Sequence, residues 1–136
     1  VIWKERAVAT ESRVQFLDIT AAIQSEVTNS GVRQGVCYLF VPHTTAGITI
    51  NENADPDVVR DLTHSLERLI PKNGDYHHLE GNSDAHLKAS MFGFSCIIPI
   101  ISNCLELGTW QGIYFCEFDG PRRRRLKIGI LTDEKE

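Results

Sequence analysis

Apolar residues recur along this chain with two periods. A period of two predicts a half-buried strand, and a recurrence every three or four residues predicts an amphipathic helix. Residues 2–10 read as a strand, with 14–19 as its pairing partner. The run GVCYLFVPHT (35–44) is too continuously apolar to show one face to water and is read as a central strand. AGITINEN (46–53) alternates more cleanly and reads as the next strand. Three more strands are expected at 94–101, 109–118 and 123–131, with SNCLELG and DGPR as turns.

Three segments carry helical signals. Thr20 is a candidate cap for a helix over 21–30, which Gly31 ends. DPDVVRDLTHSLERLIP (55–71) is the strongest: Asp55 suits the N-cap, Pro56 the first helical position, and Asp57 the positive end of the helix. Val58, Leu62, Leu66 and Ile70 recur every four residues, Val59 and Leu69 widen the stripe, and Pro71 stops it. After a loop over 72–82, Ser83 is expected to cap a last helix that runs to about residue 91, before Gly93. No repeat, low-complexity tract or linker interrupts the chain. The fold class expected is α+β: one domain over 1–136, with mixed or antiparallel, sandwich-like sheets and two to three helices on one side.

Composition narrows the classes of function. The chain has 136 residues, 42% hydrophobic and 24% charged, with a net charge of −4. That charge gives no reason to expect nucleic-acid affinity. No apolar run nears the ~20 residues that span a bilayer, and charges at Lys4, Glu5 and Arg6 break up the opening segment, so neither a membrane span nor a signal peptide is expected. Cys37, Cys96, Cys104 and Cys116 form no C-x-x-C pair, and three lie in apolar runs. Buried, reduced thiols and a cytoplasmic location are the expectation.

Candidate chemistry concentrates in HHLEGNSDAHLKAS (77–90). With Ser83 as cap, His86 falls in the first helical turn, where the helix dipole disfavours imidazolium. A neutral imidazole can bind a metal or accept a proton. Asp84 beside it is stabilised as a carboxylate, and the free amides of that turn suit a phosphate. Carboxylate and phosphate together call for a cation between them. His78 precedes the helix, but its spacing to His86 fits no standard zinc signature, so a metal site needs a third ligand. His43, where the apolar strand runs out, is the best candidate. His77 and His64 read as solvated, and Glu80 as either solvated or a ligand.

Two other segments add candidates. Asn51 and Glu52, between strand and helix, have no evident structural task, whereas Asp55 has one as a cap. Thr44 and Thr45 beside His43 do not make a nucleophile–base pair, because neighbours in a strand face opposite ways. In DGPRRRRLKI, Arg122 and Arg124 share one face of a strand. A guanidinium hidden by a sheet needs a carboxylate or phosphate partner, so these arginines suit either an anion site or ion pairs between subunits.

HTTAGITINENADPDV, EGNSDAHLKAS and LGTWQGIYFCEFDGPRRRR resemble the YjbQ-like family, small bacterial and archaeal proteins often labelled secondary thiamine-phosphate synthase. The resemblance covers residues 1–132, and its most specific segment is GTWQGI (108–113); MFGFS (91–95) departs from the Leu-Leu-Gly-Pro-Ser that relatives tend to carry. It implies an α+β fold and a compact homotrimer. It places His43, His78 and His86 among the motif residues, with Asn51, Glu52, Asp55, Asn82, Asp84, Lys88, Trp110 and Gln111. The implied reaction joins a pyrimidine diphosphate to a thiazole phosphate and releases pyrophosphate. In that frame His43, Glu52, Asp84 and His86 are the catalytic candidates. Asn51, Asn82, Ser83, Lys88, Trp110, Arg122 and Arg124 would bind the phosphorylated ligand. A divalent metal, zinc first and magnesium second, is expected on His43, His78 and His86. The alternatives are a zinc hydrolase with Glu52 or Glu80 as base, and a non-enzymatic module for a metal or phosphate ligand.

Overall fold

A computed structural model describes residues 1–134. Eight strands and three helices follow in the order β1 (Ile2–Ala9), β2 (Gln15–Asp18), α1 (Thr20–Ser30), β3 (Gln34–Phe40), β4 (Ala46–Glu52), α2 (Pro56–Leu69), α3 (Ser83–Phe92), β5 (Ser95–Ile101), β6 (Cys104–Leu105), β7 (Gln111–Glu117) and β8 (Arg123–Thr132). A five-stranded sheet runs β1-β8-β3-β5-β6 and a three-stranded sheet runs β2-β7-β4. Every pairing is antiparallel, as expected for an α+β sandwich-like chain.

The pairing of the first two strands differs from the expectation. β1 pairs with β8 and β2 with β7, so the turn at 10–14 carries the chain from one sheet to the other. The central strand differs too. β3 buries Cys37 and Leu39 but leaves Tyr38 38% and Phe40 40% exposed. β7 is the strand covered on both faces, with Gly112–Glu117 all buried.

This follows from the layers. One face of β7 and β4 meets the inner face of the large sheet and α1, through Ile113, Phe115, Ile48, Leu126, Ile128, Ile130, Ile23 and Val27. The other face meets α2 and α3, through Tyr114, Cys116, Phe118, Leu66, Ala85 and Ala89. Among the described residues no element gives the outer face of the large sheet such cover, and Trp3, Tyr38 and Ile97 are exposed there.

Local chemistry sets the helix starts. Ile19, not Thr20, takes the cap position of α1, and Asp18 just before it accepts the Thr20 amide at 3.0 Å and the Thr20 hydroxyl at 2.6 Å through Oδ1. The Thr20 hydroxyl oxygen accepts the Ile113 amide at 2.8 Å, which ties α1 to β7. Asp55 caps α2 as expected, accepting the Asp57 amide at 2.9 Å. The apolar stripe of α2 is less buried than its period suggests, for Leu66 is covered while Leu69 is 73% exposed. α3 begins one residue earlier than expected: Asn82 takes the cap position and Ser83 is the first helical residue.

All four cysteines are free; Cys37 and Cys116 are buried, Cys96 is half-buried and Cys104 is exposed. Among the described residues no helix is long and apolar enough to cross a membrane.

Candidate functional site

A polar cleft of about 450 Å³ opens where the β3–β4 connection, the loop before α3 and the β7–β8 turn converge. His43, His78 and His86 all line it, with Arg122 and Arg124, Asn82, Glu80, Thr45 and Asp119.

His43 is fixed by the sheet edge. β3 leaves the large sheet at Phe40, opposite Lys127, so residues of β8 before Lys127 have no partner on that side. The backbone N–H of Arg125 instead donates to His43 Nε2 at 2.9 Å. Burial lowers the pKa of His43, and the charges of Arg124 and Arg125 lower it further. Both effects favour the neutral ring.

His86 stands on α3, and its ring meets that of His78 edge to face, with centroids 5.4 Å apart. His78 comes from the exposed loop, and its Nε2 lies 3.9 Å from Glu80 Oε2. The cap shift moves His86 to the fourth helical position, where its amide already bonds the Asn82 carbonyl at 3.3 Å.

Arg124 is buried, at 5% exposure, and answers the need for a carboxylate partner. Its Nε donates to Glu117 Oε1 at 2.8 Å, and its Nη2 donates to Glu117 Oε2 and to Thr45 Oγ1. Thr10 completes the network through a 2.7 Å bond to Glu117. Burial alone would raise the pKa of Glu117, but hydrogen bonds from Arg124, the Asp119 amide and Thr10 outweigh it and bring the carboxyl below its ordinary value. Arg122 lies just before β8 and is held by Asp119, through the carbonyl at 2.8 Å and Oδ2 at 3.1 Å. Asn82 donates to the same Oδ2 at 2.9 Å, while its own Oδ1 is buried without a partner among the described residues.

Asp84 and Lys88 are placed differently from the expectation. Both are fully buried and neither lines the cleft. Asp84 accepts two bonds from Arg13, at 2.9 and 3.2 Å, and one from Lys88 at 3.2 Å; Lys88 also reaches Glu67 at 3.0 Å. Burial would raise the Asp84 pKa, but the bonds and charges of Arg13 and Lys88 lower it. The physical reason is helical spacing: the i, i+4 pair sits on the inner side of α3, where a bare charge is costly and a paired one is tolerated. Ser83, at the helix start, does not line the cleft either.

Asn51, Glu52, Trp110, Gln111 and Asp55 are not brought to the cleft within one chain. Glu52 pairs with Gln111, and Ala46 with Glu117, so the two groups sit at opposite ends of β4 and β7. Six residues of strand separate them, roughly 20 Å. Asn51 Oδ1 accepts the Glu52 amide, Gln111 Oε1 accepts the Gly108 amide, and Trp110 is 62% exposed.

The expected three-histidine metal set does not fit this arrangement. Structural and catalytic zinc sites use at least three protein ligands. The Nε2 lone pair of His43 is already taken by Arg125, which leaves Nδ1 to carry the proton of the neutral ring. Among the described residues no three His, Cys, Asp or Glu side chains come together closely enough to hold a metal ion.

Glu117, Asp119, Thr45 and Arg13 were missed in the sequence. The signal was there for two of them: EFDG sets two carboxylates directly before the arginine run, whose buried member required one.

The family profile described as UPF0047 protein YjbQ-like matches residues 4–133. The chain belongs to this family. It is 53% identical to a UPF0047 protein of Methanocaldococcus jannaschii over 127 residues, 93% of this chain and 92% of that one. It is 43% identical to UPF0047 protein YugU of Bacillus subtilis, over 94% of this chain and 98% of the relative. The crystal structure of an uncharacterised YjbQ/UPF0047 protein of Clostridium acetobutylicum superposes with a TM-score of 0.92 at 55% identity, covering 94% and 99% of the two chains. A YbjQ-like protein of unknown function from Sulfolobus solfataricus gives 0.92 at 30% identity over 97% of each chain. This YjbQ-like chain thus shares its fold with relatives whose function is unassigned.

Proposed function

We propose that this YjbQ-like protein holds a phosphorylated small molecule in the cleft between His43 and α3 and acts on it as a transferase of the thiamine-phosphate synthase type. The observation that carries the reading is the charge arrangement. Two arginines and three imidazoles line one polar cleft beside Asp119 and Glu80; Glu117 is already satisfied by Arg124, Asp119 by Arg122 and Asn82, and Glu80 lies against His78. Such a cleft favours an anion with several oxygens.

Loss of pyrophosphate through a cationic pyrimidine centre needs positioning and charge stabilisation, with no covalent nucleophile. Arg122 and Arg124 suit the leaving oxygens, and the His78–His86 pair suits proton transfer. The expected zinc has no part in this chemistry.

A homotrimer belongs to the same reading. Trp3, Tyr38, Phe40, Ile97 and Ile101 leave an exposed apolar face on the large sheet. Trp110 and Glu52 lie too far from the cleft of their own chain to act there, so a role for them requires a neighbouring copy. Cytoplasmic function fits the free thiols.

The test is incubation with the pyrimidine diphosphate and the thiazole phosphate, with magnesium and separately with chelator. The wild type forms thiamine phosphate, and His86→Ala and Arg122→Ala lose most of that activity while melting within a few degrees of the wild type. Saturable binding of both substrates with no product would establish a binding module instead.

A further inference from the structure

We infer that His43 serves the cleft as a neutral hydrogen-bond donor, its Nδ1–H acting with Arg124 Nη1 to hold an anionic oxygen of the ligand. The inference rests on the reading of the cleft as an anion site, and it assigns a role that excludes His43 as metal ligand and as base.

The argument starts from one bond. Nε2 accepts the Arg125 N–H at 2.9 Å, so a proton on Nε2 would set two hydrogens against each other. The neutral ring must therefore carry its proton on Nδ1. Nδ1 has no partner among the described residues, and the half-buried ring forms part of the cleft wall. A backbone amide of a strand sets the ring's orientation, which makes the donor preorganised.

Arg124 supplies the second donor by the same logic. Nε and Nη2 are engaged by Glu117 and Thr45, which fix the plane of a guanidinium that is 95% buried, as its 5% exposure implies. Nη1 alone has no protein partner among the described residues, and Arg124 lines the same cleft as His43. Two donors held in place on one cleft bind an oxyanion with little reorganisation, as an oxyanion hole does. Glu117, behind Arg124, is a positioning residue. Proton transfer then falls to His78 and His86, whose rings meet each other in the same cleft.

The test is ¹⁵N NMR of the histidine rings in the full chain with chelator present, His43 being assigned by its loss in His43→Asn. The expected spectrum shows protonated Nδ1 and unprotonated Nε2. Titration with inorganic phosphate shifts the Nδ1 signal and leaves Nε2 still. In binding, His43→Asn, whose amide can donate near the Nδ1 position, stays within about threefold of wild type, while His43→Ala and His43→Gln weaken phosphate at least tenfold. Thermal melts confirm that each variant is folded. A proton on Nε2 with phosphate binding intact overturns the donor role alone. Correct protonation with no phosphate response at any ring overturns the donor role together with the anion reading.

Discussion

Asp84, His86 and Lys88 show how the polar residues of one motif divide between two tasks. Asp84 and Lys88 both stand within four residues of His86, yet the turn of α3 sends His86 to the cleft and buries the other two. Removing one member of a buried ion pair leaves the others bare and costs about 3–5 kcal/mol. Asp84→Asn is therefore expected to lower the free energy of unfolding by about that amount in urea titration. His86→Ala, half-exposed and free of such a network, should change it by less than about 1 kcal/mol. Equal, small effects of the two would place Asp84 outside the framework.

Protonation acts on the same residues. Asp84 and Glu117 have lowered pKa values in the fold, so their contribution is full above the ordinary carboxylate range and is lost as pH falls through their folded values. His43 is also lowered, so the unfolded chain takes up its proton first as pH falls below about 6.5. All three effects have one sign: stability falls on the acid side, beginning near the ordinary histidine value. Urea unfolding from pH 7 to pH 4 checks this, and a flat or rising profile would contradict it.

Among the elements, α3 depends on a glycine beneath it. A Cβ on Gly47 of β4 would lie 2.8 Å from the Gly93 carbonyl oxygen and 3.3 Å from Phe92. Gly47→Ala is expected to lift the end of α3 and cost about 1–3 kcal/mol in thermal unfolding, as overpacking does. An unchanged melting temperature would show that the contact gives way freely.

The elements were largely legible, because each rests on local chemistry: the period of α2, Asp55 as its cap, and the alternation of β4 and β8. What failed depends on partners distant in sequence. GVCYLFV and GIYFCEF read alike, and only the stacking of two sheets decides that β7 is covered twice and β3 once. β1 and β2 look like a hairpin because nothing local says that β8 arrives to claim β1. The histidines of the cleft were legible from their placement at element ends. The Glu117–Arg124 pair was half legible, as a buried arginine in need of a carboxylate. That Asn51 and Glu52 lie at the far end of β4 follows from strand direction, which an unpaired sequence does not display.

In the whole molecule the apolar outer face of the large sheet is the feature left unexplained by one chain. Exposed Phe40 and Phe94 sit in edge-to-face contact at 5.6 Å, and both line a groove that also includes His43. That continuity joins assembly to the cleft. If copies associate through this face, Tyr38→Glu with Ile97→Lys should reduce the mass seen by light scattering to that of one chain, with folding retained. A wild type already monomeric at high concentration would remove assembly from the proposal.

The cleft itself is most directly tested by calorimetric titration of inorganic pyrophosphate into the full chain with chelator present, beside Arg122→Ala and His86→Ala. Saturable binding at one site per chain, weakened at least tenfold in both variants, is the predicted result. Binding that requires added zinc or magnesium, or that survives both substitutions, would contradict a metal-free anion site formed by these histidines and arginines.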